Sequence, residues 1–335
     1  MKIDLHTHIY PNDIAKRLVE NWQKTFAEDL KKRRGDIDIL EKIRRTRKGV
    51  KIVDGTAEGL SRWMEKDGFD YAVVLPIATK PERVDRINAW VYQICKKYPQ
   101  FIPFATIHPD YEDYQNKLLE LKHQGFLGVK LHPLLQTDSP TSPLLEERWL
   151  NLIQAIEDVG LVVLTCTFFP GEVENQTAGV VKDIKEIVKM FPRLRLIAAH
   201  MGASLNWDTA RRELLGENIY LDLSYVLGNL EDDILASMIR EHGADKVLFG
   251  TDSPYHDPGA AFRRFEALSL SRDEKELILS KNAERLLGIK QESSIYKITC
   301  EKCGRDFYLK FELPCGRKFP CPYCRWHYPN GDCGD

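Results

Sequence analysis

The chain has 335 residues, 29% charged and 43% hydrophobic, with 48 basic against 50 acidic side chains and a formal net charge of −2. That length exceeds one small domain and suits a barrel of about 250 residues with an appendix, while the balanced charge excludes a global nucleic-acid or membrane-surface signature. A basic-then-apolar N-terminus and a run near about 18 apolar residues are both missing from the sequence, so neither signal peptide nor membrane span is expected and the compartment is read as cytoplasmic.

The chain opens on Lys2-Ile3-Asp4-Leu5-His6-Thr7-His8. Strand side chains alternate faces, so His6 and His8 share one side while Ile3 and Leu5 take the other; two imidazoles so placed are half of a metal site. The bland alternative is an edge strand with two solvated histidines.

Residues 10–55 are polar, helix-compatible and locally basic, with Lys31-Lys32-Arg33-Arg34 and Arg44-Arg45-Thr46-Arg47-Lys48. Inserted after the first strand, they are expected to form a lid. The charge runs fit either a solvated helix face or arginines that grip a substrate carboxylate or phosphate. An amphipathic helix follows over 57–66, with Leu60, Trp63 and Met64 as its stripe.

From there apolar runs of strand length recur at 71–75, 101–107, 128–131, 161–166, 194–199, 219–223 and 247–249. Helix-period segments separate them near 82–97, 111–124, 144–158, 177–190, 206–214 and 231–242, and another lies at 272–287. With the first strand this makes eight βα units, and continuous apolar runs suit a parallel sheet buried on both faces. The expected fold is a (β/α)8 TIM barrel over 1–289. An open doubly wound sheet is second, since no strand is followed by a Gly-rich phosphate loop.

A barrel carries its chemistry at the C-terminal ends of its strands. Those ends supply His6 and His8, then Lys130 and His132, Cys166, His200, and Asp252 just past the last strand. Three or four N, O or S donors with an open position are what a catalytic zinc needs to acidify water. Lys130 and His132 are candidate substrate contacts. Lys130 also reads as a salt-bridge partner, and His132, followed by Pro133, as a loop residue.

His6-Thr7-His8, Gly128-Val129-Lys130-Leu131-His132-Pro133, Ala199-His200-Met201-Gly202 and Phe249-Gly250-Thr251-Asp252-Ser253-Pro254 resemble, in order, the motifs of the amidohydrolase superfamily. Within it they resemble the amidohydrolase-related branch that includes aminocarboxymuconate-semialdehyde decarboxylase and several hydrolases. The resemblance implies that His6 and His8 bind the metal, that Asp252 is a further ligand and takes a proton from the attacking water, and that His200 polarises substrate or completes the coordination. The fifth strand departs from the pattern: relatives read apolar-apolar-His-Thr-Gly, where this chain has Val163-Leu164-Thr165-Cys166-Thr167-Phe168. Cys166 is therefore either a thiolate ligand or a small buried hydrophobe. Phe168, Phe169 and Pro170 would wall the pocket or pack under the lid.

Hydrolysis of an amide, lactone or related bond of a small, carboxylated substrate is put first, because it asks nothing beyond these groups. Non-oxidative decarboxylation on the same site is the alternative. The reading of another class is a catalytically reduced barrel that serves as a binding or scaffold protein through a C-terminal zinc ribbon.

Residues 290–335 change character. Gln291-Glu292-Ser293-Ser294 reads as a linker, and Cys300-Glu301-Lys302-Cys303 and Cys321-Pro322-Tyr323-Cys324 form two C-x2-C pairs with seventeen residues between them. That spacing is a zinc-site pattern, so a zinc ribbon with a structural zinc on Cys300, Cys303, Cys321 and Cys324 is expected, its strands near 297–299, 307–311 and 317–319. Rubredoxin-like iron is the alternative. Cys315, His327 and Cys333 are left over as substitutes or ordinary residues. A homo-oligomer through barrel or ribbon stays open, as does a partner for the modest basic surface of Arg305, Lys310, Arg317, Lys318 and Arg325.

Overall fold

The computed structural model describes residues 1–17, 53–137, 142–167, 174–204, 206–289, 296–300, 302–309 and 324. They fall into two compact units, Met1–Leu287 and Gly288–Asp335.

The first unit is built on strands β1 (Ile3–Thr7), β2 (Tyr71–Val74), β3 (Phe101–Thr106), β4 (Gly128–Leu131), β5 (Val162–Thr165), β6 (Leu196–Ala198), β7 (Tyr220–Asp222) and β8 (Val247–Leu248), which pair in that order in one sheet. Every pair is parallel. The sheet returns on itself: Leu5 N–H donates to the Phe249 carbonyl at 2.9 Å and Thr7 bridges Ser253 in parallel register. This is the eight-stranded barrel that the alternation of apolar runs implies.

Helices α1 (Ala57–Asp67), α2 (Val84–Lys97), α3 (Tyr114–His123), α4 (Glu147–Val159), α5 (Glu174–Met190), α6 (Trp207–Glu213), α7 (Asp232–His242), α8 (Pro258–Ala267), α9 (Arg272–Glu276) and α10 (Asn282–Leu287) lie between or after the strands. α1 shows how local sequence fixes one of them. The Thr56 side chain accepts from Gly59 N–H at its start, Gly68 closes its end in the left-handed region, and Leu60 and Met64 are buried. The segment expected as one helix over 272–287 is α9, a π-helical turn at Leu277–Lys281 and α10. The sequence reading omitted α8, which Asp257 caps from Ala260 N–H with Pro258 in its first turn.

Strand residues are almost all buried, so the interior is packed side chain rather than pore. Among the described residues, no helix is long and apolar enough to cross a membrane. Most of the basic segment read as a lid lies outside the described residues, as do Phe168, Phe169 and Pro170.

In the second unit, β9 (Tyr296–Thr299) and β10 (Asp306–Leu309) pair antiparallel. Cys315, Cys321, His327, Cys333, the expected strand at 317–319 and the basic residues Lys310, Arg317, Lys318 and Arg325 lie outside the described residues.

Candidate metal centre

β1 delivers His6 and His8 to the same face, and each ring is fixed by a different partner. His6 Nδ1 lies 2.8 Å from Asp222 Oδ2, at the end of β7, and 2.9 Å from Ser224 Oγ. His8 Nδ1 lies 2.7 Å from the Leu75 carbonyl, past β2. A carbonyl or carboxylate only accepts, so both rings carry a proton on Nδ1 and, as neutral imidazoles, turn an unprotonated Nε2 inward.

Asp252 meets those two lone pairs. Its Oδ1 stands 3.4 Å from His6 Nε2 and 3.3 Å from His8 Nε2. Three acceptors thus converge in the buried interior with no proton of their own between them, an arrangement that a cation satisfies. The three donor atoms lie within 4.8 Å of one another, and two imidazoles with a carboxylate suit zinc, manganese or iron. Lys130 Nζ, itself a cation, points at His6 Nε2 from 3.3 Å.

His200 follows β6 and is oriented the same way. Its Nδ1 donates toward the Ser224 carbonyl at 3.0 Å and Ser224 Oγ at 2.9 Å, leaving Nε2 3.6 Å from Cys166 Sγ. Ser224 hydroxyl donates to Asp222 Oδ1, so its oxygen accepts from the rings. Asp222 Oδ1 also accepts from His200 N–H at 3.0 Å and Ser224 N–H at 2.9 Å. His6, His200 and Asp222 form a second close group, but its Nδ1 atoms are engaged in these hydrogen bonds.

The electrostatics follow from burial set against partners. Burial, then the Lys130 charge, lowers His6 to about 4, which agrees with a neutral ring. Burial opposes charge on Asp252, yet the surrounding His8, His6 and His200 imidazoles hold it well below the usual carboxylate range. For Cys166, burial works against the thiolate, but the His132 and Lys130 charges and hydrogen bonds from His132 and His200 bring it well down. Burial likewise opposes charge on His200, and the Cys166 hydrogen bond and charge outweigh it, raising the ring to about 9. One proton is shared between sulfur and imidazole.

The sequence-predicted residues therefore divide. His6, His8 and Asp252 come together, with Lys130 beside them. Cys166 joins neither close donor group and pairs with His200. His132 is buried with its Nδ1 unpartnered and faces Cys166. Asp222 and Ser224 were missed. Asp222 is the last residue of β7, and the strand-end rule that found the others would have found it had the run at 219–223 not been read as plain core. Tyr10 and Tyr255, whose hydroxyls lie 2.6 Å apart with the Tyr255 ring against His8, were missed too. Their signal was weaker, since each is one aromatic in a loop.

Backbone strain collects here. His200, Tyr225 and Asp252 have φ of 60°, 62° and 64°, a left-handed region that costs non-glycine residues about 1–3 kcal/mol each and clusters at functional sites.

Gamma-resorcylate decarboxylase of Polaromonas sp. is 31% identical over 116 residues, 29% of this chain and 35% of that protein, so the match spans about a third of the relative's length. The dihydroxybenzoic acid decarboxylase structure from Polaromonas sp., solved with manganese and 2-nitroresorcinol, superposes with a TM-score of 0.62 at 18% identity, covering 86% of this chain and 96% of that one. The 5-carboxyvanillate decarboxylase of Novosphingobium aromaticivorans, solved with manganese and 3-methoxy-4-hydroxy-5-nitrobenzoic acid, gives 0.62 at 16% identity, covering 86% and 97%. At these identities the structures speak for the fold. The sequence profile of the family described as Amidohydrolase matches residues 3–289, the whole span of the barrel and its strand-end groups, and the chain belongs to that family.

Proposed function

We propose that the barrel is a metal-dependent decarboxylase of a small hydroxylated aromatic, or similarly conjugated, carboxylic acid. The observation that carries the reading is the convergence of two unprotonated Nε2 atoms and one carboxylate, with a proton-bearing imidazole close by. The sequence put hydrolysis first; the decarboxylase relative supports its alternative instead.

His6, His8 and Asp252 would hold the cation, whether zinc, as expected from sequence, or manganese, as in the two solved decarboxylases. When bound, a divalent cation supplies a Lewis acid that fixes an oxygen-rich substrate and draws charge from it. Asp222 and the Leu75 carbonyl keep the two ligand rings in the tautomer that can bind. Lys130 adds a positive charge for the substrate carboxylate, and the Tyr10–Tyr255 pair offers hydroxyls to substrate oxygens. As the bond to the carboxylate breaks, carbon dioxide leaves, its bonding pair stays on the substrate carbon, and His200 Nε2 gives that carbon its proton. Cys166 positions His200 by sharing that proton. His200 is thus assigned to proton transfer and Cys166 to His200, rather than either to the cation.

Hydrolysis is the second reading, favoured by Asp252 itself: an ionised carboxylate beside both Nε2 atoms is placed to take a proton from water. One panel separates the two. The metal-loaded protein is offered dihydroxybenzoates and 5-carboxyvanillate alongside lactones and amides, with carbon dioxide and ring absorbance followed. Decarboxylation predicts carbon dioxide release, one deuterium at the vacated carbon in D2O, and a loss of at least about 100-fold in His200→Asn, the low end of general-acid contributions. Turnover of lactones or amides without carbon dioxide would overturn it in favour of hydrolysis.

A further inference from the structure

We infer that the second unit holds its own metal site, in which Cys300, Cys303 and Cys324 bind one zinc ion through their thiolates, independent of the barrel centre. The family match ends at residue 289, so nothing about the barrel accounts for these thiols.

β9 and β10 are in register from Thr299 opposite Asp306 to Tyr296 opposite Leu309. The turn joining them is closed by Cys300 N–H donating to the Arg305 carbonyl at 2.9 Å and Gly304 N–H donating to the Cys300 carbonyl at 2.7 Å. Gly304 has φ +68°, which a side chain would strain, and this sharp reversal folds Cys303 back beside Cys300. Cys324, 24 positions beyond Cys300, then brings its sulfur to 3.6 Å from Cys300 Sγ.

That distance excludes a disulfide and fits two sulfurs on a shared ion. A disulfide needs about 2.05 Å between sulfurs. Two thiolates on one tetrahedral zinc, each about 2.3 Å from the ion, stand about 3.8 Å apart. All three sulfurs lie within 4.8 Å of one another. Such packing is unfavourable for thiolates without a cation and natural for thiolates around one.

Cys300 and Cys303 stand in a C-x2-C spacing with their sulfurs within 4.8 Å of each other, and in the sequence Cys321 stands in the same spacing to Cys324. Cys321 itself lies outside the described residues. The ion's work is structural. A unit this short buries little apolar surface, and a thiolate site supplies folding free energy directly.

The test uses the full chain, purified reduced and without added metal. Metal content is measured for the wild type, Cys324→Ser, Cys303→Ser and His6→Ala/His8→Ala. The inference predicts that one zinc per chain disappears in either cysteine variant and persists in the histidine double variant. Cobalt substituted into the histidine double variant should show intense sulfur-to-metal charge-transfer absorption. Should the serine variants fail to fold, titrating wild-type thiols with a mercurial while following zinc with an indicator dye should release that zinc. Unchanged zinc in both serine variants, a Cys300–Cys324 disulfide trapped by alkylation, or iron with a visible thiolate spectrum in place of zinc would each overturn the assignment.

Discussion

Replacing Asp222 by Asn tests whether tautomer control underlies the barrel site. Asp222 Oδ2 receives the His6 Nδ1 proton at 2.8 Å, while Oδ1 receives the backbone N–H groups of His200 and Ser224 at 3.0 and 2.9 Å. An Asn keeps its oxygen on the two backbone donors, which cannot turn, and so presents NH2 to His6. Two donors then face each other. The conflict is relieved if His6 moves its proton to Nε2, the atom that must bind the cation. Ser224 Oγ, 2.9 Å from His6 Nδ1, is a fallback acceptor that limits the damage. Loss of a partner of this kind costs a ligand histidine about 10–100-fold in metal affinity, or about 1.4–2.7 kcal/mol. Competitive titration of manganese or zinc into metal-stripped protein, with His6→Ala as the floor, measures it. Asp222→Asn should fall in that range, and adding Ser224→Ala should lower affinity by more than the sum of the single effects. Affinity within twofold of wild type in Asp222→Asn would refute the reasoning, because His6 would then hold its tautomer without the carboxylate.

Two further outcomes are expected. Gly250→Ala would place its Cβ 2.9 Å from His6 Cβ and 3.3 Å from Ser224 Cβ, so β1 must shift; we expect at least a tenfold loss of barrel metal affinity in titration and about 1–3 kcal/mol of stability in melts. His242 contributes acid sensitivity away from the site. Burial, opposed by its hydrogen bond to the Ile219 carbonyl, lowers it from 6.5 to about 4. The unfolded chain therefore takes up that proton first as pH falls, and the stability present above pH 6.5 is lost between 6.5 and 4, up to about 3 kcal/mol. Denaturant melts across that window should show this loss reduced in His242→Gln; equal slopes for both proteins would count against it.

Much of this was legible because a parallel barrel writes itself as continuous apolar runs. The runs at 71–75, 101–107 and 128–131 became β2, β3 and β4 almost residue for residue, since strands buried on both faces admit few polar positions. α8 escaped because only Pro258, Gly259, Ala261 and Phe265 are buried along it, too few to set a helical period against the loop chemistry around Asp257. The site was legible in its ligand types and illegible in its proton positions. His6 and His8 are equivalent in the sequence, two residues apart on one strand. Their tautomers depend on Asp222, 216 positions away from His6, and on the Leu75 carbonyl, which no side-chain pattern reveals. Cys166 was found by position, but its partnership with His200 depends on how two strand ends turn.

Those turns are themselves held by hydrogen bonds. His200 and Asp252 face the centre from left-handed backbone, and each is held there by a hydrogen bond from its own N–H. The His200 N–H donates to Asp222 Oδ1 at 3.0 Å, and the Asp252 N–H donates to the His6 carbonyl at 2.8 Å. Hydrogen bonds to charged groups contribute about 1.5–3 kcal/mol, comparable to the strain at His200. Asp222 therefore does two jobs with two oxygens: one sets the proton on a ligand ring, and the other stabilises the strained turn that aims the proton donor. Asn at this position retains an oxygen for the turn and loses the acceptor for the ring. Metal affinity should accordingly fall while the His200 geometry persists, whereas Asp222→Ala should lose both. A pair of variants that failed to separate in this way would mean the two oxygens do not act independently.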